Sequence, residues 1–310
     1  MSHQIRLIVA FAIVYFVWGS TFLAIKFAVQ TMPPFLMMGV RFVIAGLVLL
    51  AIFGRGKALP TRSQWRHIFV LALSIIVFGT GIVAWTVRFI PSGMVGLICA
   101  VTPVWLVFFE SLSPGGKLPG WRGLLGVFTG LFGLFLLINP ESLGGTISWV
   151  PLAVLMFSGF SWSAGSIYSR HMKGGLPSML GTAWQLLIGG LILVIAATVA
   201  GERIAVSSFS ISSMLGLAYL VVFGSLLVFP AYMWLLKNTT PALLGTHAYV
   251  NPLVALTLGW LFVNEPITGR TILSAGIILS SVLIIGSDRS KASPSGRMQG
   301  FRRRLRLNRA

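Results

Sequence analysis

The sequence predicts an all-α integral membrane protein with ten transmembrane helices, arranged as two inverted five-helix repeats. The 310-residue chain is 56% hydrophobic and only 9% charged, whereas soluble domains carry about 25% charged residues. Its apolar runs continue for about 20 residues, which is the length that a helix needs to cross the hydrocarbon core of a bilayer. In addition, the spacing of Trp, Pro and Gly residues in one half of the chain recurs in the other half.

Ten apolar segments follow one another, and the connections between them carry helix-breaking Pro and Gly residues. Barrel strands would be shorter and would alternate between apolar and polar residues, so the pattern excludes a β-barrel. No connection is long enough to form a soluble domain. In order, the predicted segments are Arg6–Phe27, Pro34–Phe53, Trp65–Val87, Ser92–Glu110, Trp121–Ile138, Trp149–Arg170, Leu176–Ala200, Ser213–Leu236, Ala242–Val263 and Arg270–Gly286.

Two sets of residues recur between the halves of the chain. At an offset of 144, the matching pairs are Trp18 and Trp162, Pro33 and Pro177, Arg41 and Gln185, and Gly46 and Gly190. At an offset of 149, they are Trp85 and Trp234, Arg88 and Lys237, Gly96 and Gly245, and Pro103 and Pro252. Because each half contains an odd number of spans, the second copy must enter the membrane in the opposite orientation. Such inverted repeats are typical of transporters.

The repeats predict three parts of the chain: residues 1–138, residues 149–286 and a basic tail at 287–310. We expect the tail to be disordered, because it is rich in Ser, Pro, Gly and Arg. Most basic residues fall on the side that is cytoplasmic if the N-terminus is inside, so both termini are predicted to be cytoplasmic in a bacterial inner membrane. The net charge of +18 therefore reflects orientation and contact with anionic lipid rather than nucleic-acid binding.

Several motifs resemble the EamA-type family of the drug/metabolite transporter superfamily. They are Trp18-Gly19-Ser20-Thr21-Phe22 with Lys26, the pair Arg41-Phe42, and Asn251-Pro252-Leu253-Val254 followed by Asn264-Glu265-Pro266-Ile267-Thr268. The resemblance covers about Arg6 to Gly286 and implies ten helices around a cavity that moves small metabolites, often outward. The acidic turn that the family often has after the fourth helix is missing or displaced. The first helix also lacks the membrane-embedded glutamate of small multidrug exporters in the same superfamily.

Arg41 is the polar residue with the strongest functional implication. Its guanidinium lies about eight residues inside an apolar helix, and such charges are costly unless they serve a transport pathway or a partner. Arg41 either lines a substrate cavity, where its paired donors would attract a carboxylate or phosphate, or it binds backbone carbonyls and holds helices together. Its repeat mate is the neutral amide Gln185, so the two sides of the cavity are predicted to differ in charge.

The other pathway candidates are polar or aromatic residues inside apolar helices. Pro103 and Pro252 are predicted to kink helices four and nine, because each removes a backbone donor. His247 and Asn251 are four residues apart and share a helix face, whereas Trp residues line pockets or form interfacial belts. The predicted substrate pathway consists of Trp18, Thr21, Arg41, Trp85, Thr102, Trp162, Gln185, His247 and Asn251.

These features predict a secondary transporter that exports small metabolites, amino acids or amphipathic compounds by alternating access. The chain carries no ATP-binding motif, so its driving force is a proton or ion gradient or simple facilitation. The alternative is a membrane-embedded enzyme acting on a lipid-linked substrate. Such an enzyme needs clustered carboxylates, histidines or an activated nucleophile, which the five acidic residues, mostly in loops, do not provide. The expected partners are a small-molecule substrate and membrane lipid; no nucleic acid, metal or cofactor is expected, and the oligomeric state stays open.

Overall fold

The computed structural model describes residues 2–86, 89, 95, 99, 101–116, 118–137, 149–176, 178–202, 209–263 and 268–287. These residues form helices and connecting turns, and none of them lies in a β-strand. Seven of their helices are long and apolar enough to cross a membrane, and shorter apolar helices accompany them. The prediction of an all-helical membrane protein is thereby confirmed for the described part of the chain.

The described helices follow the predicted order, and α2 has the predicted bounds. The helices are α1 (His3–Ala28), α2 (Pro34–Phe53), α3 (Arg62–Thr86), α4 (Thr102–Leu112), α5 (Trp121–Leu137), α6 (Trp149–His171), α7 (Ser178–Val199), α8 (Ile211–Asn238), α9 (Pro241–Gly245), α10 (His247–Val263) and α11 (Gly269–Ser287). Outside the described residues lie the repeat members Arg88, Gly96 and Pro177, the Glu265 turn and the tail beyond Ser287.

Helices α1, α3 and α8 contain π-helical turns, at Ile13–Val17, Ala72–Gly81 and Val222–Leu227 respectively. The turns in α3 and α8 occupy equivalent places in the two halves, because the offset of 149 relates Val222 to Leu73. π-Helical turns occur frequently at functional sites. The repeat therefore extends to a feature of the backbone that the sequence pattern did not predict.

Helices α2 and α7 pack in opposite directions through glycines at equivalent positions. A Cβ atom on Gly46 would lie 2.6 Å from the backbone nitrogen of Leu187, and one on Gly190 would lie 2.6 Å from that of Val43. At the offset of 144, Gly190 is the equivalent of Gly46 and Leu187 is the equivalent of Val43, so each contact is the repeat equivalent of the other. Helices of the same rank thus run antiparallel and meet across a pseudo-two-fold axis.

The other helix pairs exchange in the same way. The repeat relates α1 to α6, α3 to α8, and α4 to α10. Accordingly, α1 packs on α8 and α6 packs on α3, whereas α10 packs on α1 and α4 packs on α6. Helices α5 and α11 are also antiparallel, since Gly126 contacts Ile285 whereas Gly133 contacts Ile278. Glycines at these positions let the two backbones approach closely. The contacts between helices therefore follow a two-repeat architecture.

Different contacts hold the two ends of the bundle. At one end, which we call the Glu202 end, the carboxylate of Glu202 accepts hydrogen bonds from the backbone N–H groups of Phe35 and Leu36 (3.3 and 2.8 Å). These groups begin α2 and have no partner within the helix. At the other end, the Arg170 end, the guanidinium of Arg170 lies 3.5 Å from the carboxylate of Glu110. Both carboxylates are therefore engaged far from the middle of the bundle.

The two prolines that are predicted to kink helices occupy different positions in the structure. Pro103 lies in the first turn of α4, where a missing backbone N–H removes no helical hydrogen bond. Pro252 lies inside α10, so the kink predicted there stays a prediction, and the span is also interrupted at Thr246, between α9 and α10. Next to this interruption, a Cβ atom on Gly245 would lie only 2.8 Å from the ring of Pro103. The break therefore coincides with the close approach of α4 to α9 rather than with Pro252.

The glycine contacts between α2 and α7 predict that Gly46→Ala and Gly190→Ala each lower the thermal stability of the purified protein in detergent. The added methyl group would overlap backbone atoms, which costs about 1–3 kcal/mol, although alanine is the better helix former by about 1 kcal/mol. Gly276→Ala in α11 is the control, because a Cβ atom there meets nothing within 4 Å. Equal melting temperatures for Gly46→Ala and Gly276→Ala would contradict the close packing.

Candidate functional site

A cavity with about 810 Å³ of empty space, including its mouth, lies between helices of both halves. Helices α1, α2, α3, α4, α6 and α10 contribute side chains to it. Seven of the predicted pathway residues line it, namely Trp18, Thr21, Arg41, Thr102, Trp162, His247 and Asn251.

The cavity occupies the half of the bundle nearer the Glu202 end. Helices α1 and α3 run toward that end and α2 begins there, so Ile25, Met38 and Val83 are the lining residues nearest to it. Trp162 and His247 are the lining residues nearest the Arg170 end, where α6 ends and α9 begins. The described lining of the cavity therefore lies mainly in the half of the bundle nearer the Glu202 end.

Five aromatic rings close the cavity on the side of the Arg170 end. They form what we call the aromatic floor, which consists of Trp18, Trp162, Phe229, Tyr232 and His247. The rings of Trp18 and Trp162 meet edge to face at 5.3 Å, and the ring of His247 stacks on Trp18 at 5.1 Å. The indole N–H of Trp162 donates to the hydroxyl oxygen of Tyr232 at 2.8 Å. Because Trp18 and Trp162 are repeat equivalents, the floor lies on the pseudo-two-fold axis.

Arg41 is buried, with only 2% of its surface exposed, and it contacts the π-helical turn of α8. Its Nε atom donates to the hydroxyl of Ser225 at 2.8 Å, and its Nη2 atom donates to the carbonyl of Gly224 at 2.9 Å. A Cβ atom at position 224 would lie 2.7 Å from Nη2, so the approach requires glycine. Arg41 therefore both binds a backbone carbonyl and lines the cavity, which combines the two alternatives that its sequence position allowed.

Arg41 is the only permanently charged side chain among the described residues that line the cavity. The acidic residues within the described ranges are Glu110 and Glu202, and each has partners at an end of the bundle. No described carboxylate forms an ion pair with Arg41. A backbone carbonyl and a hydroxyl thus compensate its charge only in part, because neither carries a formal negative charge.

The remaining polar lining residues differ in how far their hydrogen bonds are satisfied. The hydroxyls of Thr21 and Thr102 donate to carbonyls of the preceding turn, at 2.6 and 2.5 Å. The Nδ1 atom of His247 lies 2.8 Å from the carbonyl of Leu244, and a carbonyl can only accept, so Nδ1 carries the hydrogen. The side-chain oxygen of Asn251 has no hydrogen-bond partner although the residue is only 6% exposed. Asn251 is therefore an available acceptor beside the cavity.

Two predicted pathway residues lie elsewhere. Trp85 packs its ring against Phe89, with the centroids 4.7 Å apart, and does not line the cavity. Gln185 is buried in α7 outside the cavity, and neither of its side-chain polar atoms has a hydrogen-bond partner. Inversion explains its position, because Arg41 lies near the start of α2 at the Glu202 end, whereas Gln185 lies near the start of α7 at the Arg170 end. The expectation that Arg41 and Gln185 face each other across one cavity is corrected accordingly.

The sequence pattern did not predict the side chains that α8 contributes to this region. Tyr232 and Phe229 complete the aromatic floor, and Ser225 binds Arg41. The repeat gave no signal for them, since the offset of 149 pairs Tyr232 with Val83 and Ser225 with Ile76, which are both apolar. A hydroxyl beside a glycine within an apolar run was the available indication of Ser225.

A membrane bundle of two related halves around a central cavity defines the class of protein, because this architecture is that of secondary transporters. The EamA-like transporter family matches residues 5–139 and 149–287, one match in each half of the chain. The chain therefore belongs to the EamA-like transporter family. It is a membrane transporter, and the resemblance seen in its motifs is confirmed.

Relatives from several bacteria agree with this assignment. The chain is 34% identical to the inner membrane transporter YedA of Escherichia coli K12 over 274 residues, which cover 87% of each protein. It is 26% identical to protein PecM of Dickeya dadantii over 278 residues, covering 87% of this chain and 88% of PecM. A crystal structure with 20% identity has a TM-score of 0.77 and covers 94% of this chain and 100% of its own, so the two share a fold. The name of YedA indicates transport.

The hydrogen bonds of the aromatic floor predict that Tyr232→Phe destabilises the protein. The change leaves the indole N–H of Trp162 without an acceptor and the hydroxyl of Ser166 without its 2.8 Å partner. A buried group left without its partner costs about 1–3 kcal/mol, which thermal unfolding in detergent can measure. Tyr168→Phe is the control, because its hydroxyl contacts the ring of His67 at an exposed site, where a lost hydrogen bond leaves no buried group without a partner. If both variants melt at the same temperature, the floor is not held as described.

Proposed function

We propose that the protein is a secondary transporter that exports small metabolites, amino acids or amphipathic compounds by alternating access. The observation that supports this most directly is a central cavity confined to one half of the bundle and closed at its middle by the aromatic floor. A carrier that exposes its site to one side at a time needs such a closed half. The alternative of a lipid-modifying enzyme is less favoured, because the described lining contains no cluster of catalytic groups.

We infer ten spans, in which α9 and α10 together form the ninth and α11 forms the tenth. The repeats would comprise residues 1–138 and 149–286, followed by the basic tail at 287–310. The antiparallel packing of α2 on α7 and of α5 on α11 supports their inversion. Arg55 and Lys57 lie between α2 and α3, and Arg62 begins α3, all at the Arg170 end. By the positive-inside rule, these charges support a cytoplasmic position for this end and for both termini.

With this orientation, the cavity belongs to an outward-facing state. Its lining extends from the aromatic floor toward Ile25, Met38 and Val83 at the outer side. The buried rings of Phe229 and Tyr232 separate it from the cytoplasmic half. Transport would require this floor to open while the outer half closes.

Contacts of Arg170 hold the cytoplasmic half closed in this state. Its Nη1 atom donates to the carbonyls of Leu236 and Thr239, at 2.6 and 2.5 Å, and its Nε atom faces Glu110 at 3.5 Å. The other oxygen of Glu110 lies 2.8 Å from His171. These contacts join the ends of α4, α6 and α8 to the start of α9. An inward-facing state would break them, because the helices that they join have to separate.

Inverted repeats exchange conformations when the carrier changes state, which gives Gln185 a role. In the inward-facing state, the start of α7 would line the cavity as the start of α2 does now. The buried amide of Gln185, without a partner in the present state, would then face the substrate. Arg41 and Gln185 would thus act in alternate states rather than together.

The single cysteine of the chain, Cys99, lines the cavity and can report which side is accessible. In the wild type, we expect a membrane-impermeant maleimide to label Cys99 faster from the outside than from the cytoplasmic side. Arg170→Ala removes the contacts with Glu110, Leu236 and Thr239, so labelling from the cytoplasmic side should rise by about threefold or more. Right-side-out and inside-out vesicles allow both rates to be measured.

Arg66→Ala serves as the matched control for this experiment, because Arg66 is an exposed cation on α3 at the same end. It should leave both labelling rates unchanged. Labelling of the wild type mainly from the cytoplasmic side would refute the outward-facing assignment. An unchanged ratio in Arg170→Ala would refute the closing role of Arg170.

Arg41→Ala tests the transport function itself. We expect cells that express the wild type to accumulate at least one small metabolite in the medium, and cells that express Arg41→Ala to lose this enrichment while inserting the protein equally. The buried guanidinium is the main polar group of the cavity, so its removal should abolish export. A comparison of metabolites in the medium, with the empty vector as reference, provides the measurement.

Lys26→Ala is the corresponding control, since Lys26 is an exposed cation on α1 whose side chain can reach the membrane interface. This variant should export like the wild type. Full export by Arg41→Ala would contradict the role of the cavity. Conversion of a lipid by the purified protein in liposomes, without movement of a solute, would support the enzyme instead.

A further inference from the structure

We propose that the cavity binds an organic monoanion, a carboxylate attached to a flat apolar body, and that Arg41 selects it. This inference rests on the proposed transport function for its biological meaning, although binding itself can be tested without transport. It assigns a chemical class to the substrate and one residue to its recognition.

The guanidinium of Arg41 has donors to spare. It carries five N–H groups, of which one binds Ser225 and one binds the carbonyl of Gly224. The contact of Nη1 is the thioether sulfur of Met38 at 3.6 Å, which is a weak acceptor. Met38 lines the same cavity. A carboxylate that replaces this contact would receive charge-assisted hydrogen bonds in a paired geometry that suits its two oxygens.

The charge of the cavity indicates how many negative charges a ligand can carry. Arg41 is the single permanent charge among the described lining residues, and no described carboxylate neutralises it. A monoanion would therefore leave the site neutral, which is the least costly state in a medium of low dielectric constant. A dianion such as a phosphate monoester would leave one charge uncompensated, and a cation would meet a like charge.

The position of Arg41 is fixed before a ligand arrives. The bonds to Gly224 and Ser225 hold the guanidinium against α8, and the absence of a side chain at position 224 allows that approach. A group that is already oriented loses little conformational freedom when it binds a ligand. This arrangement favours selectivity for the geometry of the anion over a general attraction to negative charge.

The apolar body of the ligand would contact the aromatic side of the cavity. Trp18 and Trp162 provide ring surfaces in the floor, and Phe22 lines the cavity on the same helix as Trp18. Flat apolar groups pack well on such rings in offset or edge-to-face arrangements. The free acceptor on Asn251 would bind a polar hydrogen of the ligand where one is present.

The test is equilibrium binding of four probes that share one ring, measured on the full-length protein in detergent. Benzoate is the monoanion, benzamide its neutral counterpart, benzylamine the cation and phenyl phosphate the dianion. We expect benzoate to bind at least about tenfold more tightly than benzamide, since hydrogen bonds to charged groups contribute that much. Benzylamine and phenyl phosphate should bind more weakly than benzoate.

Arg41→Gln is the decisive variant, because it keeps a polar amide, as in Gln185, and removes the charge. The preference for benzoate over benzamide should disappear, whereas binding of benzamide should change little. Lys26→Gln removes an exposed cation from α1 and should retain the preference of the wild type. If Arg41→Gln does not fold, the comparison of the four probes on the wild type still decides the matter.

Four results would overturn the proposal. They are absence of any benzoate binding, equal or tighter binding of benzamide, tighter binding of benzylamine or phenyl phosphate, and a preference for benzoate that survives in Arg41→Gln. Selective benzoate binding by a protein that exports nothing would retain the anion site and remove the transport function. Export of a neutral metabolite without benzoate binding would retain the transport function and remove the anion site. The failure of one proposal can therefore be told from the failure of the other.

Discussion

The hydrogen bonds between Arg41 and the π-helical turn of α8 impose the main constraint on this structure. A guanidinium inside a bilayer protein must exchange its water for protein acceptors, since the transfer of an unsolvated charge into an apolar medium is prohibitive. Gly224 and Ser225 supply those acceptors, and both lie where the helical hydrogen-bond pattern is altered. Helices α2 and α8 are consequently joined at the level of the cavity, and position 224 has no room for a side chain.

The repeat explains why this constraint acts only in the part of the bundle nearer the Glu202 end. A π-helical turn occurs at the equivalent place in α3, but the residue of α7 that corresponds to Arg41 is the uncharged Gln185. An amide can be buried without a partner at a cost of about 1–3 kcal/mol, whereas a charge cannot. The guanidinium of Arg41, near the Glu202 end, therefore needs polar partners in every state. The amide of Gln185, near the Arg170 end, does not.

The sequence predicted the helices well and the contacts between them less well. Apolar length and flanking prolines determined α2 as Pro34–Phe53, and the repeat identified Trp18 and Trp162, whose rings touch. The repeat predicted that Gln185 lies across the cavity from Arg41, whereas inversion puts the two equivalent residues at opposite ends of the bundle. The partners of Arg170 could not be predicted, since backbone carbonyls carry no signature in a sequence.

The difference between Arg41 and Gln185 has a thermodynamic consequence that is independent of the direction of transport. In a carrier with two states, the ratio of substrate affinities in those states equals the factor by which the substrate shifts their equilibrium. A monoanion that binds Arg41 in one state and an amide in the other would therefore shift the carrier toward the state in which Arg41 lines the cavity. The net direction of transport depends on the gradients, because the difference in affinity between the two states is always balanced by the shift in their equilibrium. The asymmetry of the repeat thus determines how strongly the substrate controls the state of the carrier.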